Sequence, residues 1–179
     1  MTHAKLILET ERLRLRPLRL EDLDDLWALY GDPAVTRYIP DAPRTVAEAR
    51  AEIEWFQNGH PKHPQLGLWA TTLKPTGRFI GRCGLLPWTI DGRLEVEVAY
   101  ALAQAQWGHG LATEAARGIA QYAFERLGLT RLICLIDHAN LASARVARKI
   151  GMTFEKEFVD EYGPTQIYAM AKTGAGAVM

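Results

Sequence analysis

Three groups of residues in this sequence have the types and spacing to do chemistry. Glu95 and Glu97 stand two apart in "LEVEVAYAL". Gly108 and Gly110 flank His109 in "QWGHGLATEAA", just before a good helix former. Asn140 and Ser143 stand three apart in "NLASARVARKI". Two carboxyls at that spacing on a strand share one face, roughly 6.6 Å apart by the strand rise. Repulsion from one raises the pKa of the other, which suits a general base working near neutral pH. A solvated sheet face is the plain alternative for both acids. Glycines ahead of a helix let an anion reach unpaired N–H groups at the positive end of the helix dipole. A phosphate or pyrophosphate is then held by main chain alone, and the absence of a lysine is accounted for. A tight strand-to-helix loop without ligand is the plain alternative here. Asn140 reads as an N-cap, with Ser143 in the first turn of its helix.

Rival signatures fit poorly. The phosphate loop GxxxxGK[ST] is absent. The dinucleotide fingerprint needs Gly or Ala where Thr113 stands, and an acid about 20 residues on. His60 and His63 in "HPKHP" lack a helical context and a partner carboxylate, so they predict a loop without metal. His109 reads as exposed, and His138 is a reserve base beside Asn140. Cys83 and Cys134, the only cysteines, lie in apolar strand-like runs and read as buried reduced thiols. Trp27, Trp55 and Trp69 read as core or cleft wall.

The elements that must position these residues follow from periodicity. "LRLRPL" (13–18) reads as a strand. "EDLDDLWALYGDP" reads as a helix stopped by Gly31 and Pro33. "TVAEARAEIEWFQ" opens a second helix with a capping-box spacing at Thr45 and Glu48. "TRYIPDAPR" between them is a polar-aromatic loop; its Arg37 and Tyr38 are candidates to touch a substrate. Strands over 66–73, 78–86 and 94–102 predict an antiparallel meander with a tight hairpin at Asp91-Gly92. Along the third, Leu94, Val96, Val98, Tyr100 and Leu102 face one way, and Glu95, Glu97, Ala99 and Ala101 the other. A helix over 113–127, a strand over 131–136, a helix over 140–150 and a last strand pair complete the order. That order predicts an α/β fold with a mixed, mostly antiparallel sheet flanked by about four helices. Residues 1–179 read as one domain with a core over about 8–172 and a frayed tail at 173–179.

Twenty-one basic residues balance 21 acidic ones, so no global field favours nucleic acid or an anionic membrane. No apolar run approaches the roughly 20 residues that span a bilayer, and the start has no signal-peptide layout. The expectation is a cytoplasmic protein with neither nucleic acid nor membrane as partner.

Taken together, "TERLRLRPL", "EDLDDL", "EVAYAL", "WGHGLATEA" and "NLASARVARKIGM" make the chain resemble the GNAT N-acetyltransferases. It is most similar to the Rim-type branch of ribosomal-protein N-terminal acetyltransferases. The resemblance implies acetyl-CoA as cosubstrate, no metal, and transfer of the acetyl group to a primary amine by direct attack in a ternary complex. It implies pyrophosphate contacts from the main chain of Trp107, Gly108, His109, Gly110, Leu111 and Ala112, with Thr113 next in the helix. It implies a pantetheine arm paired along the strand ending near Leu102, bonded by Asn140 and with its sulfur near Ser143. Glu97 matches the family's frequent acid and is the expected base. Many relatives carry a tyrosine acid in the second of these helices, the one opened by Asn140; none lies in 139–150 here, so Ser143 is the substitute proton donor. The acceptor stays open between a peptide N-terminus and a small-molecule amine, and a homodimer through exposed strand edges is left open too. A non-catalytic acyl-CoA-binding module of the same fold and a nucleotide-binding protein are the competing readings.

Overall fold

Asp91 and Gly92 both take positive φ, 50° and 74°, and fold the chain back in a two-residue hairpin. This hairpin joins the two longest strands, and the sheet grows from them. The computed structural model describes residues 6–173. In chain order its elements are β1 (Leu8–Glu9), β2 (Leu13–Pro17), α1 (Leu23–Tyr30), α2 (Pro33–Thr36), α3 (Val46–Phe56), β3 (Gly67–Leu73) and β4 (Phe79–Ile90). There follow β5 (Arg93–Leu102), α4 (Leu111–Glu125), β6 (Arg131–Asp137), α5 (Leu141–Lys149), β7 (Thr153–Asp160) and β8 (Gly163–Ala171). One sheet orders the strands β1-β2-β3-β4-β5-β6-β8-β7. Every neighbouring pair is antiparallel except β5 and β6, which are parallel and pair at a single register point, Glu97 with Ile133.

Strand alternation divides the core between the two faces of the sheet. Val96, Val98 and Leu102 of β5 pack with Leu111, Ala115, Ile119 and Ala123 of α4 and with Ala144 and Ala147 of α5. Ala99 and Ala101, from the other face of β5, pack with Leu26 and Leu29 of α1 and Ala49 and Ile53 of α3. Leu111, Ala115, Ile119 and Ala123 form the stripe of α4 that faces the sheet, and all four are buried.

Three boundaries differ from expectation for identifiable reasons. The structure has five α-helices among the described residues rather than about four. Pro33 does stop α1, but it also occupies the first turn of α2, whose N-cap Asp32 accepts a hydrogen bond from the Ala34 N–H at 2.9 Å. Strand β4 runs four residues past its expected end, through Pro87. Beyond Leu85 it has no partner in β3, so the missing Pro87 N–H costs no ladder bond on that side. Helix α4 begins at Leu111 rather than Thr113, because Gly110 serves as its N-cap in the left-handed region. The frayed tail expected from 173 onward lies, from residue 174, outside the described residues.

Gly84 shows how closely the sheet is packed beneath the future site. A Cβ there would stand 1.9 Å from the main-chain oxygen of Gly67. Gly84→Ala should therefore destabilise the protein by on the order of 3 kcal/mol. Urea denaturation at constant m-value measures this, and a loss below about 1 kcal/mol would show that the strands can part at little cost.

Candidate active site

Past Glu97 and Ile133 the strands β5 and β6 diverge. Val98–Leu102 of β5 and Cys134–Asp137 of β6 become opposite walls of a cavity of about 1010 Å³. Two contacts bridge the gap near its base. The Tyr100 hydroxyl donates to the main-chain oxygen of Ser143 at 2.9 Å, and Cys134 Sγ donates to that of Val98 at 3.2 Å. Burial raises the thiol pKa of Cys134, so it stands protonated. Cys83 and Cys134 are both buried and unbridged.

At one end of the cavity lies the glycine loop. Gly108 and Gly110 have φ of 79° and 76°, which L side chains rarely adopt. The first helical bond of α4 runs from the Glu114 N–H to the Gly110 oxygen. The N–H groups of Leu111, Ala112 and Thr113 precede that bond, as the orphan donors of any helix start do. Gly110 has no side chain with which to cap them. Trp107 turns its indole back, and Nε1 donates to the Leu102 oxygen at 2.8 Å. That carbonyl is thus already engaged at the end of β5.

A clamp from the far end of the sequence holds this loop, and its role was not visible in the sequence. Glu114 accepts hydrogen bonds from the Thr10 hydroxyl at 2.5 Å, the Arg12 N–H at 2.7 Å and Arg12 Nε at 2.6 Å. Arg12 Nη1 also donates to the His109 oxygen at 3.0 Å. Burial alone would raise the Glu114 pKa, but the three hydrogen bonds and the Arg12 charge outweigh it and keep the carboxyl below its ordinary value. Gly118 lets α4 approach, since a Cβ there would stand 2.7 Å from Thr10 Cγ2. The pairing of "TER" with the Glu of "GLATEA" carries no periodic signal; only the fold brings them together.

The other end of the cavity holds Glu97. It projects from the face that carries Ala99 and Ala101, and Trp88 Nε1 donates to its Oε2 at 2.7 Å. Burial pushes the Glu97 pKa up from 4.5 to about 7, against the hydrogen bond from Trp88, a main-chain bond from Leu135 and the charge of Arg82. The expected cause was repulsion from Glu95. The structure corrects this: Glu95 is paired with Arg131 at 3.0 Å, and burial is what raises Glu97. Arg131 in turn pairs with Glu155, so these charges tie β6 to β7 instead of acting on Glu97.

Asn140 caps α5, its Oδ1 accepting from the Ser143 N–H at 3.1 Å, and both residues line the cavity. Arg37 and Tyr38 line it too. The Arg37 guanidinium sits 5.2 Å from the centre of the Tyr38 ring, and the Tyr38 hydroxyl donates across to the Ala139 oxygen at 3.3 Å. His109 is exposed, and His138 is exposed beside Asp137 and outside the cavity wall. His60 and His63 face each other with ring centres 5.6 Å apart, and burial and neighbouring positive charge lower the His60 pKa. Trp69 lies in the core on the α4 side of the sheet, Trp27 packs against the core on the α1 and α3 side, and Trp55 is an exposed part of the cavity wall.

The acetyltransferase (GNAT) domain family matches residues 12–153. The chain belongs to the GNAT acetyltransferases. It is 35% identical to the protein YkkB of Bacillus subtilis over 93% of this chain and 96% of that one. A GNAT-family acetyltransferase structure from Bacillus anthracis matches with a TM-score of 0.79 at 22% identity, covering 93% of this chain and 98% of that one. The ribosomal L7/L12 α-N-protein acetyltransferase RimL, in complex with coenzyme A, matches with a TM-score of 0.75 at 16% identity, covering 93% and 98%. That last likeness is one of fold, and it does not carry the Rim-type branch over to this chain. Family membership makes the chain an N-acetyltransferase and sets aside the nucleotide-binding reading. Among the described residues, no helix is long and apolar enough to cross a membrane.

The environment of Glu97 has a consequence for stability. Its native pKa of about 7 exceeds the ordinary 4.5, so between those values the folded state holds a proton that the unfolded chain has released. Stability must then fall as pH rises through that window. The difference amounts to roughly 3 kcal/mol at most. Glu97→Gln removes the titration but keeps an acceptor for Trp88. Relative to this variant, the wild type should lose on the order of 1–3 kcal/mol between about pH 4.5 and pH 8 in denaturant titrations. Parallel pH profiles for the two proteins would contradict the raised pKa.

Proposed function

We propose that the cavity binds acetyl-CoA and transfers its acetyl group to a primary amine by direct attack. One observation carries this reading. A row of unpaired main-chain donors and a carboxyl poised near neutrality meet in a single cavity, which opens where β5 and β6 part. The donors of Gly108 through Thr113 suit a diphosphate, which gains from both the N–H groups and the helix dipole. Arg145 and Lys149, on the same wall, add positive charge for the phosphates. Between the Val98 and Leu102 carbonyls, which Cys134 and Trp107 already engage, the edge of β5 offers main-chain partners to the amide groups of pantetheine, and the Asn140 side chain adds another.

A protonated amine cannot attack a thioester. Lysine-like amines lose their proton near pH 10.4 and N-terminal amines near 8. Glu97, half-ionised near pH 7, takes that proton directly or through water. The nitrogen forms the new bond to the acetyl carbon, the C–S bond breaks, and the electron pair leaves on sulfur. The thiol of CoA has a pKa of about 8.5, so its thiolate needs little help in leaving. The Ser143 hydroxyl, on the cavity wall, is the candidate to return a proton to it.

Thiol release from acetyl-CoA against a panel of amines tests the reading. Glu97→Gln should lower turnover by on the order of 10²-fold or more while acetyl-CoA affinity holds within about twofold. The wild-type to variant ratio of kcat/KM should climb with pH and level off above about 7, as the base becomes ionised. Gly110→Ala strains a left-handed residue beside the donors and should raise the KM for acetyl-CoA while sparing kcat. Tight acetyl-CoA binding with no thiol release from any amine would instead identify a binding module.

A further inference from the structure

The structure assigns to Arg82 the recognition of a carboxylate on the acceptor: we propose that the acceptor is an amino-acid-like molecule, a primary amine that also carries a carboxylate. This rests on the acetyl-transfer reading of the same cavity.

Arg82 is the one buried arginine or lysine among the described residues. It is only 7% exposed and lies on the cavity wall, yet it forms no ion pair with any carboxylate among the described residues. Its single hydrogen bond there runs from Nε to the Tyr30 hydroxyl at 2.9 Å, and that hydroxyl donates to Glu52 Oε1 at 2.6 Å. Arg16 shows the usual solution, gripping Asp22 through both terminal nitrogens at 2.7 Å each. The terminal nitrogens of Arg82 bond nothing among the described residues. They are not sealed in either, so they open onto the cavity. With Nε occupied, the free end-on pair of N–H groups has the fork geometry of a carboxylate.

Position relates this fork to the expected base. Arg82 pairs with Ala101, and Leu86 with Glu97, so Arg82 and Glu97 rise from one face of the sheet. Between them stand Gly84 and Ala99, paired with each other and leaving the floor bare. Along the strands the separation is roughly 13 Å between Cα positions, and the two long side chains shorten it to the span of a small molecule.

Charge narrows the class further. Asp41, Glu52 and Glu97 line this end of the cavity, with Arg37 and Arg82 as its cations. A purely anionic acceptor would meet three carboxyls. A polyamine would press a cation against the desolvated Arg82. A zwitterion satisfies both, its ammonium toward the carboxyls and its carboxylate on Arg82. Trp55, Phe56 and Trp88 supply an apolar wall for the remainder of such a molecule.

The test uses the purified full chain, acetyl-CoA and thiol release. The acceptors are the twenty common amino acids, their amides, the corresponding amines without carboxylate, spermidine, and peptides with free N-termini. At least one amino acid should exceed its own amide in kcat/KM by about a hundredfold or more. In Arg82→Lys and Arg82→Met that preference should collapse to about threefold or less, with the KM for acetyl-CoA unchanged. If both variants misfold, the comparison of acid with amide in the wild type still decides. Equal turnover of acids and amides, or preference for spermidine or peptides, overturns this proposal and leaves acetyl transfer standing. No release from any amine, with acetyl-CoA still protecting the protein against heat, overturns both.

Discussion

The parting of β5 from β6 is the constraint on which the other features depend. Parallel strands need a crossover, and here it is α4, entered through the glycine loop. Because the two strands pair only at Glu97 and Ile133, the sheet opens instead of closing across its middle. An open sheet edge is normally a liability, since its N–H and C=O groups seek partners. Here that edge is turned inward. The Tyr100–Ser143 and Cys134–Val98 contacts hold the walls apart at a fixed width, so the edge stays available without being exposed to other chains. Such an edge also separates two chemistries. The glycine loop and α5 lie toward one face, while Glu97, Arg82 and the aromatic wall lie toward the other.

Burial then does different work on each charged group. Glu97 is drawn toward neutrality because its strongest direct partner is an indole N–H, not a cation. Glu114, also partly buried, is driven the other way by Arg12 and Thr10. Arg82 keeps its charge through the Tyr30 hydroxyl, backed by Glu52 and Asp41. Desolvation makes every unmatched charge expensive, so the matched ones read as structure and the unmatched ones as places for a ligand.

Much of this was legible in the sequence, and the rest was hidden for physical reasons. Strict alternation in "LEVEVAYAL" sorted Glu97 onto the face opposite Val98, and Asp91-Gly92 fixed the hairpin that sets its register. Gly108 and Gly110 marked a loop directly ahead of a helix, and the structure adds that both take positive φ there. Helix α2 was missed because a proline was read only as a stop, when it is equally a start behind an Asp cap. The source of the Glu97 shift was misread because Glu95 is adjacent in sequence, while its true partner, Arg131, is 36 residues away. Arg82 drew no notice at all. Its significance lies in a missing ion pair, and no periodicity records what a side chain fails to touch.

The clamp on α4 resolves a conflict that the loop would otherwise contain. A carboxylate in the first turn of a helix is favourable toward the dipole, but it repels an anion held at the same helix start. Glu114 sits in that turn. Arg12 neutralises it and simultaneously ties down the carbonyl of His109, leaving the N–H groups of the loop as the dominant field. The Thr10 hydroxyl and the Arg12 N–H fill more of the acceptor positions on Glu114, so the carboxylate is held by its own neighbours at the turn between β1 and β2. A strand turn 97 residues before His109 thereby sets the field at the glycine loop. The glycines provide access, and the distant Thr–Glu–Arg turn keeps that access electrically open.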